Sequence, residues 1–103
     1  MENINKEKFD ELLKGEKPVV CDFYANWCGP CKMLAPVMEA AAEKFGGKAE
    51  FVKVDVDENP ELSVRYGIMS IPFVAVFRGG ELSAKSVGYM SKQEAEDFLN
   101  ENL

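Results

Sequence analysis

Along this chain the spacing of apolar residues switches between a helical period and strand-like runs, and the switches fall at glycines, prolines and capping residues. Asn5 is suited to cap a helix, Phe9, Leu12 and Leu13 share one helical face, and Gly15 stops the run, so the spacing predicts a helix over about 6–14. Pro18 opens Val19-Val20-Cys21-Asp22-Phe23-Tyr24-Ala25, too short and too β-favouring for a helix. Its nearly continuous apolarity predicts a central strand buried on both faces. Further on, Met33, Leu34, Val37, Met38, Ala41, Ala42 and Phe45 trace an apolar helical face that ends at Gly46-Gly47. Pro36 lies inside that helix, where it removes one backbone hydrogen bond and should bend the axis. Residues 50–56 predict a second buried strand. Asn59-Pro60, a cap followed by proline at the first helical position, predicts a short helix through Tyr66 that Gly67 ends. Ile71-Pro72 precedes a third strand over 73–78, and Gly79-Gly80 is a hairpin signal into a fourth over 81–87. Ser91 and Glu94 make a capping box for a last helix that buries Ala95, Phe98 and Leu99.

The predicted order is helix, strand, helix, strand, helix, strand, strand, helix, with room for a short first strand at residues 2–4. Helical crossovers between the early strands imply parallel pairing, and the two-glycine hairpin adds an antiparallel strand. The fold class is therefore α/β, a central mixed β-sheet flanked by α-helices on both faces. Residues 1–103 read as a single domain without repeat, linker or low-complexity segment. With 47% of the chain hydrophobic, it can bury one real core.

Charge narrows the partners. Eighteen acidic residues against twelve basic ones leave a net charge of -6 and no basic stripe to neutralise phosphates or hold an anionic membrane. The expectation is no nucleic acid and no membrane. Residues 1–7 are polar and mixed in charge, unlike a secretory signal, and no stretch approaches membrane-span length, so a cytoplasmic location is expected. In that reducing setting three cysteines do not make a stapling framework. There is no histidine, which removes Cys-His catalysis, a Ser-His-Asp triad and every histidine-containing zinc site.

Two of the cysteines stand in Trp27-Cys28-Gly29-Pro30-Cys31, where the apolar strand gives way to the helix. Their spacing closes a small disulfide ring without moving the rest of the chain, and a cysteine at a helix start is easily ionised, a combination that is redox chemistry. Zinc normally takes four nitrogen or sulfur ligands and finds at most three thiols here, although an iron-sulfur cluster shared between two chains survives the counting. Asp22 breaks the buried strand, and an unpaired carboxylate there costs several kcal/mol. Desolvation should raise its pKa, which suits a general base. Cys21, one residue earlier, points to the opposite face, as a small buried filler or a third redox thiol.

These residues resemble the thioredoxin family over nearly the whole chain. The Trp-Cys-Gly-Pro-Cys motif at 27–31 is that family's active-site sequence, and the matches extend to Asp22, Lys32, Pro36, Lys53, Ile71-Pro72 and the Val87-Gly88 turn. Three positions depart from the pattern. Tyr24 stands where many bacterial members have a second tryptophan, Phe73 where threonine is common, and Ser70 where glycine is frequent. Ser70 and Phe73 flank the expected substrate groove and so bear on partner choice.

The resemblance implies a protein disulfide reductase with a thioredoxin fold, working through a reversible Cys28-Cys31 disulfide. Cys28 would attack and Cys31, one helical turn inward, would resolve the mixed disulfide. A helix N-terminus contributes at most about 2 kcal/mol against about 1.4 per pKa unit, so a fall of roughly one unit at Cys28 is reasonable. A lowered thiol pKa at this position is a known property of the family and is what the resemblance implies. Asp22 would take the proton from Cys31 through a water, with Lys53 on the next strand moderating its pKa; the alternative is that the two form only a half-buried ion pair. Trp27, Gly29, Pro30, Ile71, Pro72, Val87 and Gly88 would form the substrate surface, with Ile71-Pro72 cis and the Ile71 backbone free to pair with an extended substrate. Gly88 also reads simply as a turn residue. No cofactor or metal is implied. The expected partners are disulfide-containing proteins and a flavin-containing thioredoxin reductase, NADPH- or ferredoxin-linked, as electron donor to a monomer. Gly29-Pro30, without the histidine common in related oxidases and isomerases, favours a reducing couple. The alternatives are a redox-indifferent binding module and a glutathione-dependent oxidoreductase.

Overall fold

A computed structural model covers residues 1–103. In chain order the elements are β1 (Glu2–Asn3), α1 (Lys6–Leu13), β2 (Val19–Tyr24), α2 (Gly29–Phe45), β3 (Glu50–Asp55), α3 (Pro60–Tyr66), β4 (Phe73–Arg78), β5 (Glu81–Val87) and α4 (Lys92–Asn102). The five strands form one sheet in the order β1-β3-β2-β4-β5. β1, β3 and β2 run parallel, while β4 is antiparallel to both β2 and β5. The change of direction thus comes one strand before the glycine hairpin. A six-residue strand is about 20 Å long and the seven-residue α3 only about 10 Å. That helix cannot carry the chain back along the sheet, so β4 starts near the end where β3 finishes.

Alternation along β2 sorts two cores. Val19, Cys21 and Phe23 face α1 and α3, where Phe9 and Leu62 are fully buried. Val20 faces α2 and α4 with Leu34, Met38, Ala41, Phe45, Ala95 and Leu99. Phe9 meets Phe23, Phe77 and Tyr66 edge to face at centroid distances of 5.9, 5.2 and 6.0 Å. Asn5 caps α1 through Lys8 N–H, both halves of the Ser91–Glu94 capping box form, and Gly79 and Gly80, at φ 60° and 81°, take the left-handed conformations of a tight hairpin.

Four local expectations are corrected. The strands predicted over 19–25 and 50–56 each end one residue sooner. Met33 is 62% exposed, because the buried stripe of α2 runs through residues 31, 34, 38, 41 and 45 and passes it by. The helix does end at Gly46, as expected; that residue stays right-handed at φ -60°, and a Cβ there would lie 2.6 Å from the Ala42 carbonyl oxygen, so close approach favours glycine. Asn59 stands at the cap position of α3 without capping it: its Oδ1 accepts from Lys6 N–H at 2.9 Å and its Nδ2 donates to the Asp55 carbonyl at 3.0 Å.

Candidate active site

The end of β2 and the start of α2 place the two active-site sulfurs. Cys28 is the N-cap of α2, its N–H donating to the Ala25 carbonyl at 3.2 Å and its Sγ accepting from Cys31 N–H at 3.2 Å. A sulfur that carries negative charge there would meet the free N–H groups of the first turn. Cys28 and Cys31 are joined by a disulfide, with Cα atoms 5.2 Å apart and both residues 4% exposed. Gly29 and Pro30 are the first two helical residues, where a missing N–H costs nothing. Cys21 is fully buried across the sheet, and burial first, then the neighbouring Asp22 charge, pushes its thiol well above the ordinary range.

Opposite the sulfurs lies the loop into β4. The Ile71–Pro72 peptide is cis, and the Ile71 carbonyl oxygen is 3.9 Å from Cys28 Sγ. Gly88 N–H donates to the Pro72 carbonyl at 2.8 Å, which ties the end of β5 to this loop; at φ 96° the position favours glycine. Val87 pairs with Phe73 and is 53% exposed.

Behind Cys31 sits Asp22. It is 4% exposed, and its Oδ1 is buried without a hydrogen-bond partner. Burial pushes its pKa up to about 6; Lys53, its in-register neighbour on β3, holds it down, and Glu39 on α2 pushes it up. Asp22 takes part in no salt bridge: the Lys53 ammonium lies over the Tyr24 ring, 5.4 Å from its centroid. A cleft of about 180 Å³ joins Asp22, Lys53 and Cys31 and has room for water.

On the other side, a groove of about 440 Å³ runs past Trp27, Cys28, Gly29, Pro30 and Ile71. Trp27 is 70% exposed and donates from Nε1 to Asp57 Oδ2 at 2.8 Å. Sequence reasoning missed Val56, Ser63, Ile68 and Met69, which also line the groove, and Asp57, which holds the indole. The signal available was an apolar pair, Ile68-Met69, following the glycine that ends α3. A separate polar cavity of about 520 Å³, between β1 and the loop after β3, has Ile4 as its one apolar lining residue and does not touch the sulfurs.

Comparison with known proteins agrees with this geometry. The family model described as Thioredoxin matches residues 1–101. The chain belongs to the thioredoxin family. It is 47% identical over 95 residues to the thioredoxin of Alicyclobacillus acidocaldarius subsp. acidocaldarius, covering 92% of this chain and 90% of that one. It is also 47% identical over 88 residues to the thioredoxin of Bacillus subtilis strain 168, with 85% of each chain covered. With the thioredoxin of Allochromatium vinosum the identity is 44% over 93 residues, 90% and 87% of the two chains. As a thioredoxin-family member the chain is a thiol-disulfide oxidoreductase, and its redox-active pair is Cys28–Cys31. That chemistry requires disulfide substrates and a reductase that returns electrons to the pair. No helix is long and apolar enough to cross a membrane.

Proposed function

We propose that the chain is a single thioredoxin domain over residues 1–103 that acts as a monomeric, cytoplasmic electron carrier and reduces disulfides in other proteins. The observation that carries this reading is Cys28 at the cap of α2, beside an open groove, with Cys31 behind it on the cleft that holds unpartnered Asp22. In the reduced protein the Cys28 thiolate attacks one sulfur of a substrate disulfide, forming a mixed disulfide and expelling the other sulfur as a thiolate. Cys31 gives its proton to Asp22 through a water in the cleft and attacks Cys28 Sγ. The second substrate sulfur leaves as a thiolate. Two electrons pass to the substrate, whose thiolates take up two protons, and Cys28 and Cys31 end as the disulfide. Lys53 limits how far burial raises the Asp22 pKa, so the base is ionised at neutral pH.

The substrate lies across Trp27, Gly29, Pro30, Ile71, Pro72, Val87 and Gly88, with the Ile71 backbone available to an extended peptide. Ser70 and Met69 on the groove wall tune which partners fit, whereas Phe73 is 2% exposed, packs edge-on against Phe23 in the core and does not line the groove. The donor is a flavin-containing thioredoxin reductase, linked to NADPH or ferredoxin.

The deciding experiment equilibrates the protein with defined dithiol buffers at pH 7. A midpoint below the cytosolic glutathione range of about -220 to -260 mV supports a reductase, and one well above it makes the protein an oxidant. Full retention of partner capture and cellular phenotype when Cys28 and Cys31 are both changed to serine would turn the reading into a binding module.

A further inference from the structure

A second buried aspartate lies at the end of the strand next to the one that carries Asp22. Asp55, at the end of β3, is 4% exposed, and each of its carboxylate oxygens has a donor. Oδ1 accepts from Asp57 N–H at 2.9 Å, and Oδ2 accepts from Asn26 Nδ2 at 3.4 Å, a long contact that orients more than it binds. The two donors flank one target. Asn26 is the residue before Trp27, and Asp57 carries the carboxylate that accepts the Trp27 indole N–H at 2.8 Å. Asp55 thereby grips Trp27 from both ends, along the backbone through Asn26 and at the ring through Asp57. The grip is anchored from below, because Asn59 Nδ2 donates to the Asp55 carbonyl and Asn59 Oδ1 accepts from Lys6 N–H at the start of α1.

This arrangement answers a physical problem. An indole that is 70% exposed has little packing to hold it, and a mobile ring at the rim of a groove must be ordered each time a partner docks. A hydrogen bond to Asp57, whose own N–H is held by the buried Asp55 carboxylate, pre-sets the ring without covering its apolar face. We propose that Asp55 is a positioning residue that fixes Trp27 for docking of protein disulfides and so raises the preference for protein over small-molecule disulfides. The proposal rests on the reading of Trp27 as part of the substrate surface.

The test compares Asp55→Ala, Asp55→Asn, Asp57→Ala and Trp27→Ala with the parent protein. Two quantities are measured: the ratio of kcat/KM for insulin disulfide reduction to that for a small aromatic disulfide, and the fluorescence anisotropy of Trp27, the only tryptophan in the chain. Asp55→Ala should lower the ratio about three- to tenfold, through KM for insulin, and lower the anisotropy. Asp55→Asn, which keeps an oxygen for Asp57 N–H, should recover part of both. Asp57 is exposed, so Asp57→Ala gives the same direction of change even where Asp55→Ala folds poorly. An unchanged ratio and anisotropy in a folded Asp55→Ala or Asp57→Ala protein, while Trp27→Ala lowers the ratio, overturns this inference alone. An unchanged ratio in Trp27→Ala overturns the docking reading and this inference with it.

Discussion

Asp22 and Asp55 sit on adjacent parallel strands at the same 4% exposure, yet the fold treats them in opposite ways. The Asp55 carboxylate is satisfied by donors from two loops, whereas Asp22 keeps one oxygen bare and looks into a cleft it shares with Cys31. Folding normally eliminates a bare buried oxygen, because it costs about 1–3 kcal/mol. A carboxylate kept in that state retains affinity for a proton; one whose two oxygens each face a donor holds backbone in place. Burial alone therefore does not tell architecture from chemistry, and the hydrogen-bond partners do.

The comparison can be broken first at the sulfur that gives Asp22 its task. Cys31→Ser should reduce multiple-turnover insulin reduction by on the order of 10³-fold or more and accumulate a mixed disulfide at Cys28. In that background Asp22→Asn should not change the rate at which the mixed disulfide forms; a further slowing would mean that Asp22 also acts on the first attack, by Cys28. In the parent protein Asp22→Asn should slow turnover by up to about 10²-fold when resolution limits the rate.

The same substitution should act on stability with opposite signs at the two aspartates. Folded Asp22 keeps its proton up to a pH of about 6, whereas the ordinary carboxyl releases it near 3.8. Between those values the folded state binds more protons, so stability falls as pH rises from about 4 to 6 and stays lower by about 3 kcal/mol above that window. Asp22→Asn should remove the loss, making the protein more stable by up to about 3 kcal/mol at pH 8 and little changed at pH 4, as read by urea denaturation. Asp55→Asn should destabilise by about 1 kcal/mol, because either orientation of the amide faces its NH2 toward another donor. Asp10, whose carboxylate Arg65 holds below its usual pKa from across α1 and α3, marks the weak end of the scale. Both side chains are about one-third exposed, and Asp10→Ala should cost less than about 1 kcal/mol, with the difference shrinking in high salt.

The elements and the sulfur pair were legible because their signals are local. Periods of two and 3.6, Gly79-Gly80 and Ser91 with Glu94 each act within a few residues. Asp22 stood out as one charge in an apolar run. Asp55 did not, because it closes its strand just two residues after Lys53, and its role depends on donors from two separate loops. Asn59 misled for the same reason. Its spacing before Pro60 is that of a cap, but the N–H it serves belongs to Lys6, 53 residues away. Met33 fell outside the core because the buried stripe is narrower than the run of apolar letters. The reversed β4 required comparing the length of α3 with the strand it would have had to recross.

Cys21 and Asp22 are neighbours in the chain but lie on opposite sides of the sheet. Three cysteines allow three pairings in an unfolded, oxidising chain, and two of those involve Cys21. Either of them would have to pass through the hydrogen-bonded plane between β3, β2 and β4 to survive folding. The sheet therefore sorts the isomers: only the 28–31 pairing is compatible with a closed structure, and a wrongly joined molecule stays open to thiol attack until it is corrected.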